Sequence, residues 1–177
     1  MRRPRSVAAA AGVVAGLAVV VALSGCGPKG PSDEELAAAA ADAKATVVAI
    51  TDEAAEALTA GAEVELAENT AAHQTRSWDC SDSPAATGAA VQWAADRQWS
   101  LESGESTMEL LDPIVDHFVA EGWQVTEEDT EGRRFVRMDH DGYMLQLAGE
   151  PAARSGQTTQ LDLGAYSPCL RAPAGSD

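Results

Sequence analysis

The sequence predicts an α+β fold, a two-layer sandwich in which two helices cover an antiparallel sheet of about four to five strands, after an N-terminal signal peptide. Three patterns predict this fold. Apolar residues recur every three or four positions over 33–60 and again before Gly122, which indicates two helices. They alternate over 89–101, which indicates a strand. Short alternating segments follow Trp123, which favours antiparallel pairing.

Residues 1–25 have the layout of a secretory leader. Three arginines precede an apolar run from Val7 to Leu23, and the segment contains no acidic residue. An uncleaved membrane anchor is an alternative, but the run is short and rich in alanine for a membrane-spanning helix. The pattern therefore predicts export of the polypeptide.

The leader ends in Leu23-Ser24-Gly25-Cys26, which resembles the lipobox of bacterial lipoproteins. The resemblance implies cleavage between Gly25 and Cys26 and a diacylglyceryl group on the thiol of Cys26. Such an anchor would hold the protein at the extracytoplasmic face of the cell membrane, because two acyl chains bind stably where one is marginal. An ordinary signal peptide is the alternative.

The remaining chain is predicted to contain one domain. Residues 26–32 form a short tether after the acylated cysteine, residues 33–169 form the domain, and residues 170–177 form a flexible tail. The formal net charge of -16 excludes nucleic acid as a partner, because phosphate binding needs clustered Lys and Arg. The same charge predicts that the domain stands off an anionic membrane surface.

With Cys26 assigned to lipid, Cys80 and Cys169 remain as an even pair in an exported domain. Such a pair usually forms a disulfide outside the cytoplasm, and this one would close a loop of about 90 residues. Two buried thiols and a metal site are the alternatives. No CxxC motif or His-Cys cluster supports the metal site.

The helices have recognisable boundaries. Ser32 and Glu35 form a capping box for the first helix, and Gly61 ends it. A helix packed across the domain is favoured over a coiled-coil arm. Ser106 and Glu109 predict a second capping box, and Pro113 either kinks the second helix or begins it with Asp112 as N-cap.

The later strands are separated by turn sequences. The acidic run 127–131 is predicted to be a turn that ends the strand beginning at Trp123. Asp141-Gly142 between two alternating segments predicts a hairpin. A last strand is predicted over 158–165, and the predicted bridge at Cys169 follows it.

Several of these features occur in a recognisable order. A lipobox, an alanine-rich helix, a cysteine before a Trp-bearing strand, Gly122-Trp123 and Ser167-Pro168-Cys169 follow one another along the chain. Together they resemble small actinobacterial lipoproteins, including the LppA-like mycobacterial group. The resemblance implies this topology and an envelope location. It supplies no catalytic residue, because the group largely lacks an assigned function.

Motifs for catalysis and metal binding are weak. No Gly-x-Ser-x-Gly motif or phosphate-binding glycine loop occurs, and His117 is interpreted as a solvated helix residue. The segment 139–142 resembles a fragment of a calcium loop but lacks its later ligands, so turn formation is favoured. Arg133, Arg134 and Arg137 are expected to pair with acidic neighbours rather than bind an anion. No catalytic residue, metal or cofactor is predicted.

The tryptophans on the first predicted strand allow two interpretations. Trp93 and Trp99 share a face and are expected to form core under a helix, although an aromatic stripe could hold a sugar or lipid. The sequence thus predicts a lipid-anchored, non-enzymatic extracytoplasmic surface protein that binds a protein or an envelope component. The alternative function is a carrier or sensor of a small apolar ligand in a helix–sheet cavity.

Overall fold

The computed structural model describes residues 31–61, 74–79, 90–101, 103–154 and 157–171, with only the backbone described for 74–79. The elements, in chain order, are α1 (Asp33–Gly61), β1 (Gln74–Asp79), β2 (Ala90–Leu101), a 3-10 turn (Glu109–Leu111), α2 (Asp112–Ala120), β3 (Gln124–Asp129), β4 (Arg134–His140), β5 (Tyr143–Gly149), β6 (Thr159–Tyr166) and β7 (Leu170–Arg171). The predicted α+β class is confirmed.

The predicted first helix is confirmed at both ends as α1. The backbone N–H of Ser32 donates to the Glu35 carboxylate at 2.7 Å, and the Glu35 N–H donates to the Ser32 hydroxyl at 3.3 Å, which is the reciprocal bonding of a capping box. The helix buries one face, and that face continues for most of its length: Ala43, Val47, Ile50, Thr51, Ala54 and Leu58. Because α1 packs on β2 and β6, the favoured packed helix is confirmed over the coiled-coil arm.

The sheet is larger than predicted. Its strand order is β1-β2-β6-β5-β4-β3, every neighbouring pair is antiparallel, and β7 pairs with the start of β2. The four strands after α2 form a meander whose last strand, β6, docks against β2. The prediction of four to five strands is too low because it does not include β1 and β7. β1 has no apolar alternation, and β7 has only two residues in a segment predicted to fray.

The second helix begins one turn later than its predicted capping box. The Ser106 hydroxyl accepts from the Met108 N–H at 3.2 Å, and a 3-10 turn follows without a side-chain cap, so the box of Ser106 and Glu109 is wrong. Pro113 lies in the first turn of α2, which confirms that the helix begins there rather than kinking, but the N-cap is Leu111 and not the predicted Asp112. Proline fits this position because the first-turn N–H groups have no partner within the helix.

Gly122 ends α2 with a φ of 96°, as the sequence predicts. The N–H of Gly122 bonds to the Val119 carbonyl at 3.1 Å and that of Trp123 to the Phe118 carbonyl at 2.9 Å. These two bonds form a Schellman motif, which satisfies carbonyls at the helix end and turns the chain into β3.

Two turn predictions have different outcomes. The hairpin is confirmed, because Asp141 and Gly142 have φ values of 49° and 82° between β4 and β5. These positive values match a type I′ turn. The acidic run 127–131 is not the predicted turn, since β3 continues through Asp129 as an exposed strand paired with β4.

One core fills the space between the helices and the sheet. Apolar side chains of α1 and α2, including Leu58 and Phe118, meet alternate residues of the central strands: Ala95, Trp99, Val136, Met138, Leu145, Leu147, Leu161, Leu163 and Ala165. Removing such side chains from water stabilises the fold by roughly 1.5–3 kcal/mol for each large one. None of the helices in the described ranges is at once long enough and apolar enough to cross a membrane.

Candidate functional site

Most of the residues predicted to carry chemical modifications lie outside the described part of the chain. Gly25 and Cys26, where cleavage and lipidation are predicted, fall there, and so does Cys80. Cys169 is half-buried between β6 and β7, and its sulfur is not free. The lipid anchor and the bridge from Cys80 to Cys169 therefore stay predictions.

The helices cover one face of the sheet, and a groove of about 460 Å³ lies on the opposite face. Its volume is within the usual range for small-molecule sites. Alternating residues of four neighbouring strands form it in two rows that follow the strand register. The first row is Phe135, Ala148, Asp162 and Gln98, and the second is Gln146, Gly164 and Asp96.

The depression arises where the two rows carry their smallest residues, Ala148 and Gly164. A Cβ atom at Gly164 would lie 2.9 Å from the Tyr166 hydroxyl and 3.1 Å from Asp96 Oδ1. The Tyr166 side chain therefore lies across the space that a larger residue would occupy. Phe135 supplies a second half-buried ring at the other side of the groove.

Planar polar groups line the rest of the groove. The Gln98 amide donates to Asp162 Oδ1 at 2.6 Å and to Gln160 Oε1 at 3.2 Å, which orients it along the rim. Gln146 and Arg133 add amide and guanidinium groups. The groove thus offers both hydrogen-bond donors and hydrogen-bond acceptors beside two aromatic rings.

The three clustered arginines have separate roles. Arg134 donates to Asp112 and, at 3.1 Å, to Glu128, and it also bonds to the Met108 carbonyl. Burial lowers its pKa, but the carboxylates of Asp112 and Glu128 raise it by more. Arg137 lies 3.5 Å from Asp139. The expected pairing with acidic neighbours is confirmed for these two, whereas Arg133 is exposed at the groove.

The tryptophans of β2 lie on the helix side, as predicted. Trp99 belongs to the buried core, and Trp93 packs against it. The ammonium group of Lys44 lies 4.9 Å above the Trp93 ring, which is a cation–π contact. Arg97 pairs with Asp52 of α1 on this side, and burial lowers the pKa of Arg97. The aromatic stripe is therefore part of the helix–sheet interface.

His117 is not simply a solvated helix residue. Its Nε2 lies 2.7 Å from Glu53 Oε1, so the imidazole links α2 to α1. Glu121, the residue that follows the end of α2, places a carboxylate oxygen in the same cluster. The sequence gives no indication of this contact, because Glu53 is 64 positions away from His117.

The segment 139–142 ends β4 and forms the hairpin turn, as the favoured interpretation of the sequence predicts. Asp139 accepts from the Thr126 hydroxyl at 2.6 Å, and Asp141 and Gly142 form the hairpin turn. His140 stacks on Trp123 with ring centroids 5.5 Å apart. These side chains are thus engaged in holding the hairpin to the end of α2.

Comparison of the chain with protein-family models, with curated proteins and with solved structures finds no match. The resemblance to small actinobacterial lipoproteins remains an expectation from the sequence. The groove and the His117 cluster are the features of the described residues from which a function can be inferred.

Proposed function

We propose that this protein is a lipid-anchored, non-enzymatic extracytoplasmic domain that binds an envelope component in the groove on the open face of its sheet. Its leader and the tetrapeptide ending at Cys26 support the location. The groove supports the binding role, because it is concave and combines aromatic rings with oriented polar groups.

The chemistry of the groove favours a saccharide over a protein as the envelope component. Hydroxyl groups of a sugar both donate and accept, and they match the amides, carboxylates and guanidinium of the lining. The apolar faces of sugar rings fit beside Phe135 and Tyr166. The four strands span about 14 Å, so the groove suits a short oligosaccharide.

The open-face groove also favours this role over transport of an apolar ligand. The alternative function requires a cavity between helices and sheet, where core residues such as Leu111, Val136 and Leu161 are 0% exposed. The groove is lined by charged side chains, among them Asp96, Asp162 and Arg133, and a purely apolar ligand would displace water from them without supplying hydrogen bonds in return.

The anchor is tested by fractionating cells that express the wild-type chain or Cys26→Ala. Loss of the acylated thiol is expected to stop processing or to move the protein from the membrane fraction to the soluble fraction. Mass spectrometry of the wild-type N-terminus should find a diacylated Cys26. Cleavage with unchanged membrane retention in Cys26→Ala would contradict the proposal.

Binding is tested with the purified full chain on a panel of neutral oligosaccharides, followed by calorimetry on any that bind. Gln146→Ala is expected to weaken binding about tenfold, because one amide of the groove contributes on the order of 1–1.5 kcal/mol. Gln124→Ala, an exposed residue on β3, is the matched control and should bind like the wild type.

Three outcomes would contradict the assignment. Equal losses in Gln146→Ala and Gln124→Ala would place binding elsewhere. A failure to bind any oligosaccharide, together with crosslinking of a protein to the groove, would favour a protein partner. Release of new reducing ends from a bound oligosaccharide would make the domain an enzyme, with Asp96 and Asp162 as the first carboxylates to replace.

A further inference from the structure

A second cluster of chemically active side chains lies between the two helices, apart from the sheet groove. Glu121 is the C-cap residue of α2, four positions after His117, and its carboxylate lies beside the His117 ring at this end of the helix. Glu53 projects towards them from α1. One ligand atom from each of the three residues lies within 4.8 Å of the other two.

This donor set matches the ligands of a divalent transition metal. One imidazole nitrogen and two carboxylate oxygens are ligands that Zn²⁺ accepts, and three protein ligands leave a coordination position for water. Facing helices are a common framework for such sites because they hold ligands from both sides. The distance of 2.7 Å between His117 Nε2 and Glu53 Oε1 shows that the two helices already bring their donors together.

The surrounding charges favour a cation. A surface cavity of about 590 Å³ adjoins the cluster, and its described lining contains Asp52, Glu53 and Glu56 without a lysine or arginine. Asp52 is neutralised by Arg97, whereas Glu56 lies one turn from Glu53 on α1 and adds negative charge at the cluster. His117 is half-exposed, so a metal ion can reach its ring from solvent.

We propose that Glu53, His117 and Glu121 bind one divalent transition-metal ion, of which Zn²⁺ is the best fit, and that the ion joins α1 to α2. The site depends on the helix pair alone and is independent of saccharide binding in the groove. A plain hydrogen bond between His117 and Glu53 is the competing explanation of the cluster, and Glu121 distinguishes the two. Glu121 is needed for a three-ligand metal site but not for that hydrogen bond.

The experiment titrates Zn²⁺ into the chelator-treated full chain, purified in detergent, and follows the heat of binding. One ion per chain is expected. His117→Gln and Glu121→Gln are each expected to weaken the affinity at least tenfold, because even the loss of an outer-shell partner of a metal ligand costs 10–100-fold. His140→Gln is the matched control, since no such cluster surrounds it in the described residues.

A second measurement follows the thermal unfolding midpoint with and without Zn²⁺. Binding to the folded state raises the midpoint of the wild type and of His140→Gln, and the increase should be lost in Glu121→Gln, whose metal-free midpoint verifies its fold. The absence of Zn²⁺ binding would overturn the proposal. Binding that Glu121→Gln and His117→Gln leave unchanged would also overturn it, and so would binding of Ca²⁺ in place of Zn²⁺.

Discussion

The ring of Trp123 packs edge-on against the ring of Phe118, with an interplanar angle of 83° and centroids 5.2 Å apart. The two residues occupy the positions of a Schellman motif where a hydrophobic contact commonly accompanies the backbone bonds. Gly122 makes this geometry accessible through its positive φ. The end of α2, the start of β3 and the core are therefore fixed by one local arrangement.

Phe118→Ala is expected to lower the free energy of unfolding by about 3–5 kcal/mol, because a ring that is 1% exposed leaves a cavity in the core. Val119→Ala is the matched control on the same helix. Its side chain is 49% exposed, so its effect should stay within about 0.5 kcal/mol. Urea denaturation of both variants measures the difference. Equal stabilities of the two variants would show that the helix end does not anchor the core.

The buried hydroxyl of Thr107 connects the end of β5 to the start of β6. It donates to the Gln160 carbonyl at 2.6 Å and accepts from the Glu150 N–H at 2.7 Å. Thr107→Val keeps the shape but leaves both backbone groups without this partner, so a loss of about 1–3 kcal/mol in the free energy of unfolding is expected.

Thr59→Val is the control for Thr107→Val. The Thr59 hydroxyl donates to the Ala55 carbonyl at 2.7 Å, but the residue is exposed and water can replace that bond. Its loss should be no more than about 0.5 kcal/mol. Urea denaturation tests both variants, with midpoints compared after checking that the dependence of the unfolding free energy on urea is the same. An unchanged stability of Thr107→Val would refute the connecting role of the Thr107 hydroxyl.

The capping box of α1 predicts a specific pH dependence. Hydrogen bonds to the Glu35 carboxylate from the backbone and then the side chain of Ser32 lower the pKa of Glu35. Because its pKa is lower in the folded than in the unfolded state, the cap stabilises the helix above the unfolded pKa. This contribution is lost as the pH falls through the folded pKa.

NMR titration of the Glu35 carboxyl carbon tests the cap directly. The pKa of Glu35 should rise towards its ordinary value in Ser32→Ala, since that variant removes the hydroxyl that bonds to the carboxylate at 2.9 Å. Ser103→Ala, in the loop after β2, should leave the pKa of Glu35 where it is in the wild type. An unchanged value in Ser32→Ala would contradict a capping role for the hydroxyl.

Local sequence patterns predict those helices and turns that are stabilised by residues close to them in the chain. Capping, proline and turn chemistry within a few residues determine the bounds of α1, the start of α2 beside Pro113 and the turn at Asp141-Gly142. β1 is different, because its polar sequence gains order by pairing with β2. Such pairing depends on tertiary contacts, which the periodicity of apolar residues in the sequence does not reveal.

The candidate sites depend on contacts between distant segments. The groove needs Gly164 on β6 beside Gln146 on β5 and Asp96 on β2, and only the strand register brings these residues into one row. The cluster of Glu53 and His117 needs the packing of α1 on α2. Gly164, which directly follows the alternating Leu161 and Leu163 inside a predicted strand, is the sequence signal that indicates a close approach at the groove.

The predicted bridge between Cys80 and Cys169 has a thermodynamic consequence that can be measured. A bridge across about 90 residues is expected to stabilise the fold by roughly 4–5 kcal/mol, less any strain, by restricting the unfolded chain. Cys80→Ser, Cys169→Ser and the double variant should all lose the same amount, because either substitution opens the loop. Non-reducing mass spectrometry of the exported wild type should find the two cysteines linked, and free thiols at both would refute the bridge.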